Sequence, residues 1–173
     1  MGKHTMGKQK GFSLIELLIV VAIILIIAAI AIPNLMRAKM SANDASAAAS
    51  ERSVITAEVS YFADYPTLGY TALASLGGAA GAACVPSTTT ACLIDSTLAS
   101  GLKSGYKFAV TTQTAAPSTV PNQFVTTGWP QSSTTGTRSY CAVDDGVVRI
   151  AAAGTITQVG SYGACQLLNP MAN

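Results

Sequence analysis

One carboxylate stands where a carboxylate is hard to keep. Glu16 opens a long apolar run, four residues after the Gly11-Phe12 boundary. An acidic side chain at the centre of a membrane helix costs about 2.5–3.5 kcal/mol on insertion scales. It therefore needs either a counter-charge or a position beside the lipid headgroups, where water solvates it. A cut between Gly11 and Phe12 would supply the counter-charge, because Phe12 would then carry a new α-amino cation. A neighbouring chain presenting that amine to Glu16 would set an axial register, since a mispaired buried carboxylate is costly.

The cysteines form the second constellation. Cys84, Cys92, Cys141 and Cys165 all lie beyond the apolar run, none in a CxxC spacing. The single histidine, His4, sits in the basic start. Zinc needs more ligands at tighter spacing, so no metal is expected. Four cysteines permit three pairings. Cys84–Cys92 and Cys141–Cys165 each close a local loop and are the expected bridges, worth about 3 kcal/mol apiece by chain entropy. Disulfides imply an oxidising compartment. Asp144-Asp145-Gly146 would make part of a calcium loop, but calcium takes six to eight oxygens, and a hairpin turn explains the three residues alone. Beyond residue 11 there is no histidine, nucleophile–base pair, phosphate loop or carboxylate pair, so neither catalysis nor a cofactor is expected.

These groups need elements to position them. The 173 residues are 50% hydrophobic and only 10% charged, a balance that fits one modest domain. Three of the ten basic residues (Lys3, Lys8 and Lys10) precede Gly11, and residues 12–173 hold seven basic and eight acidic side chains. No basic stripe remains, so nucleic acid is not indicated. Residues 1–11 read as a leader, and a start at Met6 would shorten it to six residues. Residues 12–32 are 21 residues long, about 31 Å of helix, which spans a bilayer core. The segment 12–33 therefore reads as transmembrane, with the lysines on the cytoplasmic side.

Pro33 should kink or locally unwind the helix. An amphipathic continuation over 34–65 carries Ala38, Ala42, Ala45 and Ala49 on one seam. Those alanines suit either helix propensity or close packing of neighbouring helices. Ile55, Val59 and Phe62 mark a bulkier stripe, and Tyr61, Phe62 and Tyr65 should pack on a sheet. Residues 66–173 form the head: a variable stretch rich in Gly, Ala, Ser and Thr, then strands over 106–112, 124–129, 138–143 and 147–151, with Asp145-Gly146 turning a hairpin. The expected fold class is α+β, a small antiparallel sheet on the second half of a long N-terminal helix.

The stretch GFSLIELLIVVAIILIIAAIAIP, residues 11–33, resembles the prepilin-type signature shared by type IV pilins and type II secretion pseudopilins. The resemblance implies that a prepilin peptidase cuts between Gly11 and Phe12 and methylates the Phe12 amine. It implies an unassembled subunit in the bacterial inner membrane, among lipid, until an assembly platform adds it to a surface filament of identical or related subunits. Glu16 would then neutralise a neighbour's Phe12 amine, and Pro33 would mark the helix kink. A pseudopilin would use the same segment in a secretion piston. A secreted or anchored protein that never polymerises is the alternative of another class, with Ala29-Ile30-Ala31 as a signal-peptidase site.

Overall fold

The computed structural model describes residues 11–78, 80–81, 83–151 and 157–171, so the leader as far as Lys10 lies outside them. One long helix, α1 (Leu14–Asp64), contributes to two compact units that divide after Arg37.

In the first unit the helix is apolar in every direction. Leu14, Ile15, Leu25, Ile30 and Leu35 are all well exposed, so no face is covered within this unit. Among the described residues this is the one helix long and apolar enough to cross a membrane. Pro33 lies inside α1, and the residues on both sides remain helical, so the expected local unwinding is absent. Its ring removes the N–H that would bond the Ala29 carbonyl.

The second unit is built on the rest of α1. The buried face comprises Ala47, Ala48, Ser50, Glu51, Val54, Ile55, Ala57, Glu58 and Tyr61. This differs from the expected stripe: Ile55 is buried, but Val59 is half exposed and Phe62 is only partly covered. The alanines split by side. Ala47 and Ala48 seat the helix, whereas Ala38, Ala42, Ala45 and Ala49 face outward.

Two short helices, α2 (Leu73–Leu76) and α3 (Ser96–Ala99), precede a six-stranded antiparallel meander in chain order. Its strands are β1 (Leu102–Lys103), β2 (Tyr106–Gln113), β3 (Gln123–Pro130), β4 (Tyr140–Val143), β5 (Arg149–Ile150) and β6 (Asn169–Pro170), with α4 (Tyr162–Gln166) before the last. All four expected strands are present, the last two shortened. The first hairpin went unread: Ser104 and Gly105, at φ of 50° and 75°, turn β1 into β2. Two adjacent positive-φ residues are what a type I′ turn requires. Asp145-Gly146 does serve a hairpin, but within a loop spanning 144–148, where the Gly146 N–H donates to the Val143 carbonyl at 3.0 Å.

The sheet has a core on each face. Tyr106, Phe108, Phe124 and Tyr140 join α1, Leu76 and Leu98 in the larger one. Val125, Cys141, Val143 and Cys165 form the smaller, with Val159, Tyr162 and Leu168 packed against it. Alternation along β3 sends Phe124 and Thr126 to the helix side and Val125 and Thr127 to the other. The helical aromatics connect to this sheet, since Phe62 stacks near Tyr70 at 4.9 Å and Tyr70 meets Phe124 edge-on at 4.7 Å.

Asp44 ties α1 to the loop before β4. It accepts from the Thr137 N–H at 3.0 Å, from the Thr137 hydroxyl and from the Tyr106 hydroxyl, while Asn43 donates to the Thr135 carbonyl at 2.7 Å. Burial and the Asp44 carboxylate push the Tyr106 hydroxyl's pKa far above its ordinary value. Asp44→Ala should therefore cost about 2–3 kcal/mol, the range for stranding donors to a charged acceptor. Urea denaturation would show it as a lower midpoint at unchanged slope.

Candidate functional site

The site is the first turn of α1 and the residues before it. Gly11, Phe12 and Ser13 precede the helix, Phe12 is 81% exposed, and open space surrounds Gly11. The Gly11–Phe12 bond is thus reachable from outside the fold.

The structure places Glu16 at the third helical position and gives it a local task. The backbone N–H of Ser13 donates to Glu16 Oε2 at 2.9 Å, and the Leu17 N–H donates to the Ser13 carbonyl at 3.2 Å. The first N–H groups of a helix have no partner along the helix, and a glutamate three residues on is a standard acceptor. Ser13-Leu14-Ile15-Glu16 is the S-x-x-E pattern of a capping box, a signal that attention to Glu16's charge alone passes over. The carboxylate also lies at the positive end of the helix dipole, which stabilises its charge. One carboxylate oxygen is engaged within the chain, and the side chain stays exposed.

The cysteines are far along the chain from this turn and organise the head instead. Cys84–Cys92 and Cys141–Cys165 are both bonded, each with Cα atoms 6.0 Å apart. The Cys84–Cys92 loop is held by the Tyr61 hydroxyl donating to the Thr88 carbonyl at 2.7 Å, and Gly78 leaves room for the Cys84 sulfur. The Cys141–Cys165 bridge, fully buried, joins β4 to α4. Asp144 accepts from the Tyr162 hydroxyl, and Asp145 pairs with Arg149. Burial and that Asp144 contact push Tyr162 up to about 12. These two aspartates are thus engaged as turn and strap residues.

Two acids with unusual environments were missed. Glu51 and Glu58 are fully buried on the helix face that meets the sheet. Glu51 Oε2 accepts from the Thr126 hydroxyl at 2.8 Å, and Glu58 Oε2 accepts from the Thr71 N–H at 3.1 Å. Burial raises both carboxyls to about 8. The available signal was spacing: seven residues apart, they repeat on one helix face along with Ala47, Val54 and Tyr61.

Residues 6–32 match the family model described as the prokaryotic N-terminal methylation motif. The chain is 64% identical over 39 residues to the type IV wide pilus major component PilA4 of Thermus thermophilus, a match covering 22% of this chain and 30% of that protein. It is 44% identical over 57 residues to the type IV major pilin protein PilA of Myxococcus xanthus, covering 33% of this chain and 26% of that one. In this segment the chain is similar to type IV pilins. The chain spans less than a third of either relative's length, so the likeness covers only part of each protein. No solved structure matches the chain.

Proposed function

We propose that this chain is a structural subunit of a type IV pilus, made as an inner-membrane precursor and polymerised through its N-terminal helix. The observation that carries the reading is the one apolar helix that nothing in its own unit covers, beginning at an exposed Gly11–Phe12 bond. That much bare apolar surface needs lipid or like helices around it. In this reading a prepilin peptidase removes residues 1–11 and methylates Phe12. The inner-membrane platform then passes the subunit from lipid into the filament, where Glu16 meets a neighbour's Phe12 amine.

The outward face of α1 in the head supports the same reading. Ala42, Ala45 and Ala49 are small, and the hydroxyls of Ser53, Thr56 and Ser60 donate to carbonyls four residues back at 3.2, 3.0 and 2.9 Å. Small side chains and internally satisfied hydroxyls let another helix approach without stranding a polar group. The relatives' names favour a surface pilus over a secretion piston.

The processed chain is expected to begin at Phe12 with a methylated amine. Intact-mass and N-terminal peptide analysis of sheared surface material checks this. A chain beginning at Ile32, after Ala29-Ile30-Ala31, would identify a secreted protein and end the pilin proposal.

A further inference from the structure

The buried glutamates lie on the face of α1 that meets the sheet, not on its outward side. Glu51 fits a notch made for it. Thr126 donates to its Oε2, and two residues along the same face of β3 a Cβ on Gly128 would lie 2.7 Å from its Oε1. No side chain larger than glycine's fits there while the carboxyl stays. One heptad further along α1, Glu58 holds the Thr71 N–H in the segment after the helix. In both residues the second oxygen, Oε1, is buried without a hydrogen-bond partner.

A charged carboxylate in such a place needs a cation. The cations on the packed elements are committed elsewhere. Lys39, Arg52, Lys107 and Arg138 are exposed, while Lys103 and Arg149 pair with Asp95 and Asp145. The other titratable groups on or beside these elements in the head are Asp44, Tyr61 and Asp64 on α1, Tyr65 and Tyr70 after it, Tyr106 on β2, Tyr140 on β4, Asp144 beyond it and Tyr162 on α4. Each is neutral or negative, so none of them favours a second negative charge.

We propose that Glu51 and Glu58 form a proton-operated lock between α1 and the head: both are held as neutral carboxylic acids, and losing their protons loosens the helix from β3 and from the segment around Thr71. Protonated, each acid bridges helix and head through one hydrogen bond and adds no charge to the core. Ionised, each leaves an uncompensated charge there, and the cheapest relief is to let water reach the helix–sheet seam.

The linkage has a definite sign. Folded, these carboxyls keep their protons to higher pH than an unfolded glutamate, whose ordinary value is 4.5. Between 4.5 and about 8 the folded chain binds more protons, so its stability falls as pH rises and levels off above that window. The test uses the full processed chain in detergent, with thermal unfolding followed by circular dichroism at a series of pH values. The wild-type midpoint should drop by on the order of 10 °C from about pH 5 to about pH 9. The Glu51→Gln/Glu58→Gln double variant should stay nearly flat. A flat wild-type profile, or a double variant falling in parallel with it, overturns the lock. Infrared spectroscopy covers the case of a double variant that does not fold. In a Glu16→Gln background, a protonated-carboxyl stretch should be present at neutral pH and vanish on alkaline titration. Its absence at neutral pH likewise overturns the proposal.

Discussion

Glu16→Ala should be processed and inserted like the wild type, yet give few or no surface filaments. Removing the carboxylate makes the helix more apolar, so membrane insertion does not suffer. Two things are lost. The Ser13 N–H loses its acceptor, a capping effect worth about 0.5–2 kcal/mol. Under the proposed pairing, the incoming Phe12 amine of a neighbour would also meet no counter-charge in a low-dielectric environment, which is the larger cost. Glu16→Gln separates the two effects. Its amide oxygen still accepts from Ser13, so the helix start is preserved while the charge is gone. Under the pairing proposal Gln should fail like Ala, and Glu16→Asp should keep partial assembly. Filaments counted by electron microscopy at matched levels of processed subunit decide the matter. Gln filaments at wild-type numbers would leave Glu16 a capping residue alone.

The contrast between Glu16 and Glu51 shows what the sequence makes legible. Glu16 stands out because its neighbours are apolar throughout and a bilayer-length run comes directly after it. Glu51 and Glu58 occur in a mixed stretch with Arg52, Ser53 and Thr56, where acids ordinarily face water. Only the partner surface, Thr126 and the missing side chain of Gly128, makes their burial sensible, and that surface lies some 75 residues downstream. The same asymmetry holds for the fold. Strands with alternating β-branched and aromatic residues were readable, as was the local loop closure of each cysteine pair. The β1–β2 hairpin was not, because Ser-Gly is a weaker turn signal than Asn-Gly or Asp-Gly and its first strand is two residues long. The second small core was also hidden. Val125 and Val143 read as ordinary strand residues until α4 brings Cys165 and Tyr162 over them.

That second core leads to the other large expected effect. Replacing Cys141 and Cys165 together by alanine should destabilise the head by about 3–5 kcal/mol, enough to reduce the folded subunit severalfold. The bridge spans 24 positions, against 8 for Cys84–Cys92, so it removes more freedom from the unfolded chain. It also anchors α4 against the outer face of β3 and β4, where Val125, Val143, Tyr162 and Leu168 pack around it. Losing it should expose this face of the sheet. The Cys84→Ala/Cys92→Ala pair should cost less, about 2–3 kcal/mol by the same entropy argument. Its loop keeps the Tyr61 hydroxyl on the Thr88 carbonyl and the Ser87–Thr90 bridge when the bond is gone. Urea midpoints and subunit levels measured for both pairs under identical expression give the comparison. Equal losses from the two pairs would mean that loop closure alone sets the effect and that the outer core adds nothing. A larger loss from the Cys84–Cys92 pair would move the weak point of the head to the segment beside the end of α1.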